Sequence, residues 1–295
     1  TDLAPEDPRL GLTAVWRTAD ELLVVVQPAG RLPEIPRTGF QAQDRISALW
    51  AATASGQALG GTFIPSGSAR DTRDRSPPLK LVLRDVRSGT QRTLATGALF
   101  DLALSPDHAK VAVLEDREDL QPDPDRPVLV GDPIRRRGLR IIDIETGVET
   151  PISRSLDLGP YLMAWSADSR RLLAFARDVG APGFEQSGVY VVIGDDGAVS
   201  TLAGAPATER SPWDEPVALG GWSGAEPVLR LKDDGGVARW QVGDHGPTLP
   251  AEPGDRLTAW AGETRIERGG RLLSLSGGAD IAGSIADLGE ARDAG

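Results

Sequence analysis

The sequence predicts an all-β fold made of repeated hairpins, and three observations carry that expectation. Thirty-five glycines and 23 prolines punctuate 295 residues, with no long helical pattern between them. One hairpin occurs twice in near-identical form. Leu102-Ala103-Leu104 turns at Ser105-Pro106-Asp107-His108 and resumes as Lys110 to Leu114; Met163-Ala164-Trp165 turns at Ser166-Ala167-Asp168-Ser169 and resumes as Arg171 to Phe175. A second kind of hairpin alternates with the first: Leu79 to Asp85 turns at Ser88-Gly89, Leu139 to Glu145 turns at Thr146-Gly147, and Val189 to Ile193 turns at Asp195-Asp196-Gly197.

The first turn has a local mechanism. Serine opens a type I turn, proline presets the next backbone angle, and aspartate bonds back to nearby amides. The fourth position requires a left-handed backbone that glycine supplies most cheaply, and here it is occupied by His108 and Ser169.

In chain order the two hairpins fall at 12–27 and 79–95, 99–114 and 139–152, 161–176 and 188–203, and 217–231 and 236–249, with a last first-type hairpin near 257–275. Two hairpins make a four-stranded sheet, and such sheets in series are the blades of a β-propeller, of which about five are detectable. First-type strands such as Tyr161 to Trp165 and Leu172 to Ala176 are apolar on both faces, as strands between neighbouring blades must be. Second-type strands admit Arg140, Asp143 and Glu149, as outer strands with a wet face do. Trp16, Trp165, Trp222 and Trp260 recur in or beside the first-type strands and are read as packing between blades.

Two inserts interrupt the series. In the first, 28–78, Asp44 is placed to cap a helix carrying Ile46, Leu49 and Trp50 on one face, with Gly56 as its stop. Its tail, Arg70 to Arg75, reads as a solvated charged loop. The second runs from Glu115 to Arg137; Asp123-Pro124-Asp125 is too short and stiff for a calcium loop. Arg135, Arg136 and Arg137 are the candidate contacts for substrate or partner, since adjacent guanidinium groups suit a carboxylate. The tail beyond Gly277 reads equally as a short strand or a short helix.

Composition narrows the function. A net charge of -11 argues against a nucleic-acid partner. Without cysteine there is no thiolate nucleophile, thiolate metal site or disulfide. No run is long enough to span a bilayer. The chain opens at Thr1 without methionine, which fits removal of a leader peptide or of an upstream segment and does not itself give the compartment; the expectation is a periplasmic or secreted protein, with the cytoplasm left open.

Catalytic chemistry is scarce. His108 and His245 both sit in turns. Gly221-Trp222-Ser223-Gly224-Ala225 lacks the final glycine of a nucleophile elbow and reads as a strand pair. No catalytic, cofactor-binding or metal-binding residue is assigned, and no cofactor is expected.

The pairing of Leu-Ala-Leu-Ser-Pro-Asp and Met-Ala-Trp-Ser-Ala-Asp hairpins with an Ile-Asp-Ile-Glu-Thr-Gly hairpin resembles the propeller of the prolyl-oligopeptidase family of serine peptidases, in its bacterial dipeptidyl peptidase and lasso-peptide isopeptidase branch. TolB-type propellers are the second resemblance. The match is good over 99–204 and weak on the flanks. It implies that residues 1–295 belong to a seven- or eight-bladed propeller that gates and positions peptide substrate for an α/β-hydrolase domain carrying the triad. The alternative is a non-enzymatic, TolB-like periplasmic propeller that binds protein partners.

Overall fold

The structure, a computed structural model, describes Pro5 and residues 10–29, 31–57, 77–120, 135–178, 188–210, 216–233, 235–260, 263–275 and 281–282. Among these residues the chain forms antiparallel sheets with one helix, the class read from the sequence. A seven-stranded sheet runs in order through β1(Ala14–Trp16), β2(Glu21–Val26), β3(Leu79–Asp85), β4(Gln91–Leu104), β5(Lys110–Asp119), β6(Arg135–Asp143) and β7(Glu149–Thr150). Its long strand β4 serves two meanders: Gln91 to Gly97 pair with β3, and Ala98 to Leu104 pair with β5. We call these the first and second sheets.

The third sheet is β8(Leu158–Trp165), β9(Arg171–Arg177), β10(Gly188–Gly194) and β11(Val199–Thr201). In the fourth, β12(Ala205–Pro206) and β15(Gly220–Ser223) both pair with β16(Glu226–Lys232), followed by β17(Ala238–Val242) and β18(Thr248–Pro250). A small pair, β13(Glu209–Arg210) and β14(Pro216–Val217), lies between β12 and β15 in the chain. The fifth sheet is β19(Arg256–Trp260), β20(Glu263–Arg268), β21(Arg271–Ser274) and β22(Ile281–Ala282).

The serine turns form as the sequence dictates. Ser105 Oγ donates to Asp107 Oδ1 at 2.6 Å, Asp107 Oδ1 accepts the Ala109 amide at 3.0 Å, and Lys110 N donates to Ser105 Oγ at 2.9 Å. Ser166, Asp168, Arg170 and Arg171 repeat the pattern. The Ser166 hydroxyl, with the Arg170 amide behind it, holds the Asp168 carboxyl below its usual range. His108 (φ 59) and Ser169 (φ 60) do take the left-handed backbone. Ser169 also earns a second role, because its Oγ accepts the Asp107 amide at 3.0 Å and ties one turn to the next.

Four apolar seams join consecutive sheets. Leu23, Val25, Leu81 and Leu83 of the first meet Leu102, Val111, Val113 and Ile142 of the second. Ala112, Leu114, Leu139 and Ile141 meet Leu158, Trp165, Leu172 and Ala174 of the third. Phe175 and Tyr190 meet Trp222, Leu229 and Leu231 of the fourth, and Val228 and Trp240 meet Ile266 and Leu275 of the fifth. Strand alternation makes this possible: successive residues of β5 and β9 serve opposite seams, so no residue between Leu172 and Ala176 is more than 8% exposed. Burial of each leucine or valine in these seams stabilises by about 1.5–3 kcal/mol. Buried Tyr190 satisfies its hydroxyl on Leu219 O and Arg230 O at 2.8 and 2.9 Å.

The inserts differ from expectation at their edges. The helix, α1(Glu34–Ala54), begins ten residues before Asp44, with Pro33 at its N-cap, so Asp44 lies inside it. Proline is tolerated in a first helical turn because those amides have no intrahelical partner, which is how Pro36 fits. The C-terminal end is where it was read: Ser55 caps it and Gly56 follows at φ 74. Ile46, Leu49 and Trp50 are 54, 43 and 73% exposed, so the face they share is not covered. Glu115 to Asp119 and Arg135 to Arg137 are not loop but the ends of β5 and β6, paired through Asp116↔Arg137 and Asp119↔Arg135. Residues 121–134, Arg70 to Arg75 and most of the tail lie outside the described residues.

Replacing His108 by glycine should raise stability in urea denaturation by about 1 kcal/mol, since glycine relieves the left-handed strain while both backbone hydrogen bonds of the position remain. Ser169→Gly should gain less, because it also removes the acceptor for Asp107 N.

Candidate functional site

An antiparallel meander places its odd connections at one end and its even connections at the other. The serine turns and the third-to-fourth-strand turns therefore share one rim, and main-chain bonds join them: Ile144 N to Ala109 O, Asp195 N to Arg170 O, and Gly243 N to Pro227 O. The second-to-third-strand inserts, α1 included, leave from the opposite rim. On that rim the structure assembles two buried charged groupings.

The first is centred on Asp101, a residue the sequence analysis did not select. The residue is 5% exposed, and its carboxylate joins β4 to β8 and to the segment just before β1: Leu12 N donates to Oδ1 at 3.1 Å and Tyr161 N to Oδ2 at 2.7 Å. Leu102 N donates to Leu12 O at 2.8 Å beside it. Asp101 (φ 48) and Tyr161 (φ 74) both adopt left-handed backbone, and each lies at a register break, between Phe100 and Leu102 in one strand pair and between Leu158 and Met163 in the other. The break in β8 frees the Tyr161 amide from the ladder to bond Asp101. A β-carbon on Gly11 (φ 110) would fall 2.0 Å from Asp101 Oδ1, so the close approach requires glycine there. Burial pushes the Asp101 carboxyl up to about 6, against the pull of the Tyr161 and Leu12 amides.

The second grouping holds the arginine triplet. Arg135 Nε lies 3.2 Å from Asp119 Oδ1, and its Nη1 lies 3.8 Å from Asp116 Oδ2. Arg137 Nε lies 3.4 Å from Asp116 Oδ1, and its guanidinium sits 5.4 Å from the Phe100 ring centre. Arg136 faces the other way, to Glu118 at 2.7 Å and the Ser155 carbonyl at 3.0 Å. Burial pushes the Asp116 carboxyl up in spite of Arg137, Arg135 and Arg177 around it. Beneath them Arg177 Nη2 and Asp157 Oδ1 form a 2.7 Å pair whose side chains are 1% and 2% exposed. The same Asp157 oxygen accepts the Arg137 amide at 2.7 Å. All three predicted contact residues are thus brought to one rim, each beside a carboxylate, with Arg136 the most accessible at 23% of its side chain.

Of the other residues singled out from sequence, His108 is in its turn, His245 in the turn after β17, and Ser223 ends β15 opposite Glu226. Among the described residues no group of three or more histidines, aspartates and glutamates has the arrangement to hold a metal ion, and no helix is long and apolar enough to cross a membrane.

No protein-family model and no curated protein sequence matches the chain. Solved structures that it is similar to include propeller domains of peptidases and TolB. The β-propeller domain of the trilobed protease from Pyrococcus furiosus aligns at TM-score 0.43 and 12% identity, over 97% of this chain and 73% of that one. The acylaminoacyl peptidase of Pyrococcus horikoshii aligns at TM-score 0.40 and 15% identity, over 66% of this chain and 31% of that one. TolB from Acinetobacter baumannii aligns at TM-score 0.38 and 12% identity, over 90% and 66%. The chain thus spans under a third of the acylaminoacyl peptidase and just under two thirds of TolB.

Two measurements check these groupings. Asp101 keeps its proton in the folded state to a higher pH than the ordinary value of 3.8, so stability should fall as pH rises from about 4 through about 6, by roughly 3 kcal/mol. Denaturation midpoints of Asp101→Asn across that range should lack this fall. Asp157→Ala strands the Arg177 guanidinium in the interior and should cost about 3–5 kcal/mol in chemical denaturation.

Proposed function

We propose that residues 1–295 form a single β-propeller, its meanders the four-stranded blades, that serves as the non-catalytic part of a prolyl-oligopeptidase-like serine peptidase. It gates and positions peptide substrate for an α/β-hydrolase domain that supplies nucleophile and base. The observation that carries the reading is the alternation of serine-turn and glycine-turn hairpins resembling that family, which corresponds strand for strand to the pairing of sheets two and three. The rim opposite the serine turns gives the reading a place to act. Both long inserts leave there, and Arg135, Arg136 and Arg137 stand there with their charges balanced by Asp116, Glu118 and Asp119. In this reading Arg136, paired with a carboxylate that is 60% exposed, is the member that exchanges its partner for a peptide or domain carboxylate. The propeller contributes orientation and exclusion of bulky substrates, and the hydrolase domain contributes the bond-breaking step.

The test is the intact mass of the native protein from its own cells, with and without a fluorophosphonate that labels activated serines. The expected product is far heavier than 31.2 kDa, with one adduct mapping outside residues 1–295. An unlabelled product of about this chain's own mass would overturn the peptidase reading and leave a TolB-like protein-binding scaffold.

A further inference from the structure

Helix α1 is partly buried only in its first turn, at Pro36 and Arg37; from Gly39 to Ala54 every residue but Ala52 is exposed. A helix with so little packing is marginal in water by itself, and one that needs no partner is polar on every face. This helix is not, because Ile46, Leu49 and Trp50 stand together in solvent on one side of it.

Their spacing gives the shape of what they fit. Gly39, Ala42, Ile46, Leu49 and Thr53 follow one another at steps of three, four, three and four. Those are the a and d positions of a heptad, which line up as a seam for a second helix. Gln43 and Trp50 then fall at e, Arg45 and Ala52 at g, and Arg37 and Asp44 at f on the far side. Phe40, also exposed, is at b and lies outside the seam. Among the described residues α1 is the one helix, so no other described segment supplies the matching seam.

The seam is complementary to itself. A β-branched residue at a with leucine at d, here Ile46 and Leu49, favours two helices in parallel, and Gly39 and Ala42 ahead of them add layers without bulk. In a parallel pair position g of one helix lies beside e of the other. Exposed Arg45 is thereby set against the Trp50 ring of the second copy, a cation on an aromatic face, twice by symmetry. Antiparallel pairing centred on the seam, with Gly39 opposite Leu49 and Ala42 opposite Ile46, would instead bring Arg45 to its own counterpart, like charge to like.

We infer that α1 is a dimerisation helix that pairs in parallel with α1 of a second copy of this chain, through Ile46 and Leu49 in the seam and Arg45 against Trp50 at its flanks. The seam from Gly39 to Thr53 is about 22 Å long, and a two-helix contact of that length belongs with the weak, reversible interfaces. The inference goes beyond the peptidase reading and does not rest on it, since a scaffold propeller would carry the same helix.

The test is sedimentation velocity of the native protein, at its natural length, over about 1 to 100 μM. The expected result is a monomer–dimer equilibrium within that range. Ile46→Glu should weaken the dimer at least about 100-fold, by placing two carboxylates in one layer, and leave the denaturation midpoint of the dilute monomer unchanged, because the residue is exposed there. Residues 1–295 contain no cysteine, so Thr53→Cys adds a thiol at an a position. Mild oxidation should link two copies of that variant, since parallel helices bring equivalent positions together, whereas the centred antiparallel pair holds them about 27 Å apart. A monomer at every concentration, or a dimer that Ile46→Glu leaves intact, overturns the inference. A dimer that Ile46→Glu disperses but Thr53→Cys does not link overturns the parallel arrangement.

Discussion

The rest of the structure depends on apolar contact between the faces of consecutive sheets. No meander here is stable alone, because a sheet with hydrocarbon on two faces must cover both. The seams meet that need with leucine, valine and isoleucine, and the polar interactions are arranged around them. Tryptophan indoles reach across to main-chain carbonyls, Tyr190 reaches Leu219 and Arg230, and Asp107 N reaches Ser169. These bonds add little to the burial energy but fix which residue lies opposite which, something that hydrocarbon contact alone leaves loose.

Charged groups were placed where a seam meets its rim. Arg177 and Asp157 are almost fully buried together, and Arg230 reaches Glu209 at 2.5 Å. At the turn rim Lys110 crosses to Asp195 at 3.0 Å, and Arg17 crosses to the His108 carbonyl at 3.0 Å and to Glu145. Arg171 stacks 4.7 Å from the Trp222 ring and donates to Ala225 O. The preference for arginine over lysine at these crossings follows from geometry: a planar fork serves a carbonyl, a carboxylate and a ring face at once.

Much of the fold was legible because the hairpins obey local rules. Serine-turn strands, glycine-turn strands and their order were all readable, since alternation and turn chemistry act over a few residues. What escaped the reading was non-local. Asp101 looks like an ordinary polar residue between Phe100 and Leu102, and only the folded chain brings Leu12 and Tyr161 to its two oxygens. The start of α1 lies ten residues before Asp44, the cap that the sequence suggested, and Pro36 fits inside it because proline suits the first turn of a helix. Arg135 to Arg137 were visible as a candidate contact, but their carboxylate neighbours come from the facing end of β5, across an insert that hides the pairing in sequence.

Strand β4 has a mechanical consequence. It passes from the first sheet into the second with no intervening loop, so its fourteen residues are one continuous ribbon hydrogen-bonded on either side of the junction. The second and third sheets are instead linked by the segment from Pro151 to Asp157, and the third and fourth by a longer excursion through β12 to β14. Sheets one and two are therefore tied by a single link, Gly97 to Ala98, which leaves no slack chain between them, whereas seven residues connect the second sheet to the third. The first seam is thus held closed by the shortest connection of the series, so that parting those two sheets would stretch main chain and not straighten a loop.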